Sequence, residues 1–367
     1  MTDRIIAEID AKQLKLNIDT IKSLIGNRLL YATVKANAYG HGIIGISRLY
    51  EKYGVDTLCV ASFYEALEIR EAGINANILI LAPVPPAEEI LKEGIEKNIS
   101  WTVCSKELLE ELNRVGEQVG KKAQIHIKVD TGMSRVGVQP ESAVEFIKYA
   151  KNLDFIKVVG CFTHLSASDD LNEEEWTFHQ INIMKNIKEE INDPNIIFHV
   201  ANSAGIFKYP EGYFDAVRGG IVVYGYMPFK ELKDKFPIRP ILKLKSHIVY
   251  LKTLPKGASI GYNRTCKLER ETKVATVSCG YGDGFSRALS NRGVVYINGQ
   301  KAKIIGRICM DLFMVDVTDI DAKLYDDVVL YDYHYPETDV ENIAQELGTI
   351  SYEILTNIAN RVKRIYK

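Results

Sequence analysis

The sequence predicts an α/β protein: a (β/α)8 TIM-like barrel over residues 1–230, followed by a mostly β domain over residues 231–367 with a terminal helix. Three observations predict it. Between about residue 29 and residue 225, short and nearly continuous apolar runs alternate with helical patterns, as strands of a parallel sheet covered on both faces should. The pattern changes after Tyr226, where MPFKELKDKFPIRP is proline-rich and charged and reads as a linker. Several runs also end in a polar or ionisable residue, namely Lys35, Asp130, His164, Asn202 and Arg218, and barrel enzymes gather their catalytic groups at that end of the strands.

In chain order the barrel runs are LLYATVKA, TLCVAS, NILILA, SWTVC, AQIHIKVD, KVVGCFTHL, IIFHVAN and FDAVRGGI. Each has strand length and β-branched content. Between the fourth and fifth lies the helical stretch SKELLEELNRVGEQVG, with Ser105 as N-cap and Leu108, Leu112, Val115 and Val119 on one face. Beyond the linker, LKLKSHIVYLKTL, KVATVSCGYGDG, GVVYINGQKAKIIGRICM and LFMVDVTDI are strand-like, and Asn298-Gly299 marks a hairpin turn. A last helix is expected over DVENIAQELGTISYEILTNIANRV.

The apolar fraction of 46% and charged fraction of 26% are those of a soluble globular chain. A net charge of -2 without a basic stripe argues against nucleic-acid binding, and the basic end RVKRIYK reads as a solvated terminus. The cysteines at 59, 104, 161, 266, 279 and 309 form no CxxC pair, which points to reduced thiols rather than a zinc ribbon or disulfide framework. No HxH or HExxH spacing suggests a metal site. No apolar run reaches the roughly 18 residues of a membrane span, and MTDRIIAEID is not a signal peptide. The expectation is a cytoplasmic chain, or the soluble domain of a membrane-anchored protein, without membrane contact of its own.

The stretch YATVKANAYGHG drives Lys35 to the end of an apolar strand, where a lysine is costly unless paired or chemically used. It resembles the cofactor-lysine signature of alanine racemases. HIKVDTGMSRVG (126–137), FTHLSASD (162–169), HVANSAG (199–205), VRGGIVVYG (217–225), IGYNRT (260–265), GYGDG (280–284) and GRICMDLFMVDV (306–317) follow in the order of that family, so the resemblance covers essentially the whole chain. It implies pyridoxal 5'-phosphate (PLP) as cofactor, racemisation of small amino acids for peptidoglycan precursors, and a homodimer in which the C-terminal domain contributes to the partner subunit's active site.

The resemblance also implies roles. Lys35 would bind PLP covalently and serve as one base, while Tyr262 in IGYN, from the partner, would serve the opposite face. Phosphate contacts would come from Tyr39, Asn202, Ser203, Gly220 and Ile221, close to the late strands where barrel phosphate sites are common. Arg218 would face the pyridine nitrogen, His164 would stack beside the ring and His199 would support Arg218. A permanent cation there disfavours nitrogen protonation and so favours reprotonation over transamination. Arg135 would meet the phenolic oxygen of PLP and the substrate carboxylate, with Lys128 beside it as a candidate for carbamylation. Met310 would offer its N–H to the carboxylate, and Tyr281, Arg287 and Arg307 match the entrance of the family's pocket.

One residue departs from the pattern. Alanine racemases carry a tyrosine before the arginine and valine of the last segment, and Asn360 stands there before Arg361-Val362. The same exchange occurs in the serine racemases linked to vancomycin resistance, whose catalytic domain this chain resembles most closely. A carboxamide at the pocket wall leaves room and hydrogen-bonding groups for a hydroxyl, so the sequence favours racemisation of both serine and alanine. The alternatives are a strict alanine racemase and, more remotely, a PLP-dependent decarboxylase of the same architecture or a non-catalytic PLP-binding protein.

Overall fold

The computed structural model describes residues 3–367. The chain forms two compact units: one comprises Leu14–Ala38 and Ile43–Arg239, the other the N-terminal residues through Gln13 together with Tyr39–Gly42 and Pro240–Lys367.

The first unit is a closed barrel. After β1 (Ile6–Ile9), which belongs to the other unit, its strands are β2 (Leu29–Thr33), β3 (Thr57–Val60), β4 (Asn77–Ile80), β5 (Ile99–Val103), β6 (Ala123–Lys128), β7 (Ile156–Phe162), β8 (Ile197–His199) and β9 (Ala216–Gly219). Every neighbouring pair is parallel, and β9 returns to β2 in the register Leu29↔Ala216 to Ala32↔Gly219. Each of the eight apolar runs supplies one of these strands. Tyr31, Cys59, Leu79 and Ala216 pack together as one apolar cluster. The helix Lys106–Val119 starts where Ser105 Oγ accepts from Leu108 N at 3.3 Å and stops at Gly120, whose φ of 70° a side chain would resist. It buries Leu108, Leu112 and Val115. Each such side chain contributes about 1.5–3 kcal/mol of burial.

The second unit is an eight-stranded sheet in the order β13-β16-β15-β14-β17-β10-β1-β18. Its strands are β10 (Leu242–Leu254), β11 (Ser259–Ile260), β12 (Cys266–Lys267), β13 (Thr272–Val277), β14 (Val294–Ile297), β15 (Gln300–Ile305), β16 (Phe313–Asp316), β17 (Asp327–Tyr331) and β18 (Lys363–Tyr366), with β11 and β12 forming a separate small hairpin. Asn298 and Gly299, at φ 50° and 75°, turn β14 into β15, as an Asn-Gly hairpin requires. The N-terminal strand β1 pairs antiparallel with β10 and parallel with β18, so the first residues group with the C-terminal sheet rather than with the barrel. The single terminal helix expected from the sequence is two, Val340–Leu347 and Ser351–Thr356, followed by β18. Gly348 ends the first in the left-handed region at φ 68°, and its N–H bonds back to the last turn. Among the described residues no helix is long and apolar enough to cross a membrane.

Candidate active site

In the barrel unit, β2 delivers Lys35 to the mouth. Tyr224 Oη donates to Thr33 O at 2.7 Å and Val34 N to Cys59 O at 2.8 Å, which fixes the strand end. The chain then turns left-handed: Ala36, Asn37, Ala38 and Tyr39 have φ of 51°, 54°, 53° and 49°. A non-glycine residue in this region costs about 1–2 kcal/mol, so local bonds must hold the turn. Ala36 N donates to Glu65 Oε1 at 2.7 Å, and Ile43 N donates to Asn37 Oδ1 at 2.8 Å. Glu65 is itself fixed as the N3 residue of a capping box with Ser62. The Lys35 amine lies below the ordinary lysine value, chiefly from burial and then from the charge of Arg135, with Glu65 opposing.

The loops after β6 and β7 supply the next groups. Asp130 Oδ1 accepts from Gly132 N and Ser134 N, both at 3.0 Å, and so shapes the turn that presents Arg135. Lys128 is buried, its Nζ lies 4.5 Å from the Phe162 ring centroid, and burial with the charges of Arg218 and Arg135 holds its amine well below the usual range. His164 is held well below its usual value by burial and then by Arg218, which keeps it neutral. Buried Gln180 ties its loop down: Nε2 donates to Thr131 Oγ1 at 3.0 Å and to His164 O at 3.3 Å, while Oε1 accepts from Ser166 N at 3.0 Å.

Arg218, at the end of β9, is buried and held by four bonds: Nη1 to His199 O (2.7 Å) and His199 Nδ1 (2.9 Å), and Nη2 to Thr163 O (2.6 Å) and Val200 O (2.9 Å). Burial lowers it to about 10, which still leaves it charged near neutrality. Nearby, Ser203 Oγ accepts from Gly220 N at 3.0 Å, beside Ile221. Asn202 is committed to its own loop: Oδ1 accepts from Gly205 N (3.0 Å) and Ser168 Oγ (2.9 Å), and Nδ2 donates to Leu165 O (3.4 Å). His164 thus lies within electrostatic reach of Arg218, Lys128, Arg135 and Lys35 together.

The other unit carries its own set. Tyr39 packs edge-on against Tyr352 with ring centroids 5.5 Å apart. Tyr281 N donates to Cys309 O at 3.0 Å and Gly282 N to Met310 O at 2.9 Å, which sets the GYGDG turn against the CMD segment. Gly280 must be glycine, because a Cβ there would meet the carbonyls of Cys309 and Met310. Buried Asp283 caps Gly280 N at 2.9 Å and pairs with Arg4 and with Arg361, whose Nη2 also reaches Asp311 Oδ1 at 2.7 Å. Tyr262 is 67% exposed, and the backbone of Gly261 before it abuts that of Arg307. Tyr281 and Arg287 line a cavity of about 420 Å³ together with Glu353 and Asn357. Asn360 is exposed, and its carbonyl accepts from Arg364 Nη1 at 3.2 Å.

Two family models match the chain: "Alanine racemase, N-terminal domain" over residues 9–228 and "Alanine racemase, C-terminal domain" over residues 241–366. The chain belongs to the alanine racemase family. It is 41% identical over 370 residues to the alanine racemase of Clostridium perfringens (strain SM101 / Type A), covering 98% of this chain and 95% of that protein. The solved alanine racemase of Clostridium difficile 630 superposes with a TM-score of 0.94 at 38% identity, over 100% of this chain and 96% of that one. The alanine racemase of Bartonella henselae with covalently bound pyridoxal phosphate superposes at 0.87 and 31% identity, over 99% of each chain.

Sequence reasoning missed three residues around these groups. Glu65 was legible as the end of an S-x-x-E capping box, Ser62 to Glu65, but its reach to Ala36 N was not. Gln180 looks like an ordinary helix residue in WTFHQ. His126 stands two residues before Lys128 on one strand, hence on the same face, and that alternation is a readable signal.

Proposed function

We propose that this chain interconverts L- and D-alanine with PLP, using Lys35 and the Tyr262 of a second copy as the two bases. The observation that carries this reading is the donor count at Arg218. Its four bonds occupy the Nη hydrogens, and among the described residues none accepts from Nε–H, so one donor of a buried cation is left over. A pyridine nitrogen, an acceptor, fits that donor. Bound PLP supplies an electron-accepting ring that makes the Cα–H of an attached amino acid acidic.

The chain's own residues then divide the work. Lys35, with its depressed amine, would hold the cofactor covalently and, when released, take or give the Cα proton on one face. Ser203 accepts from Gly220 N, so its hydroxyl proton remains to donate to the phosphate, with the Ile221 N–H and with Tyr39; Gly220 would act by orienting that hydroxyl and Asn202 by shaping the loop. His164, neutral and beside the Arg218 charge, would stack on the ring and order the second base. His199 would hold Arg218. Arg135 and the Met310 N–H would take the substrate carboxylate, with Tyr281, Arg287 and Arg307 at the entrance. Depression of the Lys128 amine favours the neutral form that adds carbon dioxide, and a carbamate there would place an anion within electrostatic reach of Arg218 and Arg135.

In this reading the phenol at the second position comes from a partner chain, and the exposure of Tyr262 is consistent with a homodimer in which the C-terminal domain completes the neighbouring site. The free thiols support a reducing, cytoplasmic setting, and the D-amino acid would feed peptidoglycan precursors. A second reading, serine use alongside alanine as in the membrane-anchored serine racemases of vancomycin resistance, has Asn360 behind it. The relatives named above are alanine racemases, so strict alanine use is the better supported reading.

The test is chiral chromatography of PLP-loaded protein with L-alanine or L-serine in deuterated water. Alanine inversion with deuterium at Cα, lost in Lys35→Ala and Tyr262→Phe, supports the reading; no inversion of alanine sinks it. Serine inverted at a comparable rate, and selectively lost in Asn360→Tyr, would restore the dual reading.

A further inference from the structure

A buried histidine, His126, is unused by the mechanism above. It lies on β6, His199 on β8, and these strands are not neighbours in the barrel, so their side chains meet inside it. His126 Nδ1 is 3.0 Å from His199 Nε2, and His199 Nδ1 is 2.9 Å from Arg218 Nη1. The direction of this chain follows by elimination. Arginine can only donate, so His199 Nδ1 carries a lone pair. A neutral His199 then has its proton on Nε2, and that N–H donates to His126 Nδ1, which must be bare in turn. Both rings are neutral: burial holds His126 down to about 3 and His199 well below its usual value.

The barrel is built to admit this ring. Gly160 lies directly across from His126, and a Cβ there would run into its Nδ1. The β6–β7 register shifts at the same place, between Ile125 and His126. Tyr31 and Phe162 meet the ring edge-on at centroid distances of 6.2 and 6.4 Å.

Building on the proposed function, we infer that His126 is a positioning residue for racemisation: by accepting from His199 Nε2 it locks the tautomer that presents a bare Nδ1 to Arg218, and so fixes the guanidinium whose remaining N–H faces the cofactor. Without that acceptor, His199 can turn an N–H towards Arg218, and two donors would face each other at the buried cation.

The test uses PLP-loaded wild type, His126→Asn and His126→Phe. Asparagine can place its amide oxygen near the Nδ1 position and keep accepting, whereas phenylalanine cannot. Nitrogen-15 histidine NMR of the wild type reads the tautomer directly, and the absorption spectrum of bound PLP reads the ring's surroundings. The expected result is His199 protonated on Nε2 only, and near-native kcat in His126→Asn. In His126→Phe, kcat falls about tenfold, the equivalent of one buried hydrogen bond, with a shifted cofactor spectrum and little change in KM. A proton on His199 Nδ1 in the wild type overturns the inference. So does an equal loss in both variants, or full activity with an unchanged spectrum in His126→Phe. If the wild type inverts no amino acid, the proposed function falls while the NMR result still decides the tautomer; if His126→Phe does not fold, the wild-type spectrum and His126→Asn decide.

Discussion

Glu65→Gln is the sharpest probe of the strained turn after Lys35. The carboxylate accepts three backbone N–H groups: Ala36 on Oε1 at 2.7 Å, and Ala61 and Ser62 on Oε2 at 2.7 and 3.2 Å. An amide has only one oxygen. If that oxygen keeps the Ala61–Ser62 side and preserves the capping box, the NH2 group faces Ala36 N–H, donor against donor. A bond to a charged acceptor contributes about 1.5–3 kcal/mol and one to a neutral acceptor about 0.5–1.5. The variant therefore loses one charged bond and weakens two. Because these bonds lie near the surface, water replaces part of the loss, and about 2 kcal/mol is a fair figure for the turn. That corresponds to roughly 30-fold less protection of the turn against local opening. Hydrogen exchange read by mass spectrometry on peptides spanning 34–43 should show the loss, with peptides from the C-terminal sheet unchanged. The charge has a second effect. Glu65 raises the Lys35 amine against burial, so its removal lowers that amine further, and the pH midpoint for covalent loading of PLP onto apoprotein should move down. Unchanged exchange over 34–43, or a midpoint that moves up, would refute the reasoning that Glu65 holds this turn.

Three further outcomes follow from particular contacts. Gly160→Ala pushes a methyl group into His126 Nδ1 and should destabilise the barrel by about 1–3 kcal/mol, seen as a lower Tm. Lys128→Met, in carbonate-free apoprotein, should stabilise. The folded-state amine lies well below the unfolded value near 10.5, so wild type is penalised wherever the unfolded chain binds the extra proton. The gain is therefore largest at low pH and fades as pH rises towards that value, which thermal melts at pH 7 and 9.5 would show. Carbon-13 bicarbonate should give a carbamate resonance in wild type that Lys128→Met lacks. Asp283→Asn removes the charge that Arg4 and Arg361 share and should loosen the GYGDG turn, seen as a higher KM for alanine and a lower Tm.

The barrel was readable because each strand is a short apolar run buried on both faces, a pattern that needs no partner to recognise. Strands β1 and β18 were not. Each is only four residues long, and they become strands by pairing with each other, β1 also with β10, at separations no local window spans. The broken terminal helix did carry a signal, Gly348, but a lone glycine in a helical pattern is weaker evidence than the apolar periodicity around it. The site divides along the same line. Lys35, Arg218 and Ser203 announced themselves by standing at strand ends in motifs that match a family. The left-handed turn did not, because Ala-Asn-Ala-Tyr contains no glycine and, of its four residues, only Asn37 is of a type that readily adopts positive φ. Its conformation is held in part from a distance, by Glu65 on the helix Phe63–Glu71 beyond β3. His126 lay between these cases: its place on the Lys128 face was legible, but its meaning depends on Gly160 and His199 arriving from two other strands. Local rules therefore fail here where distant residues force a lysine, an arginine and two imidazoles into arrangements that each would avoid alone, and those are the positions to which chemistry is assigned.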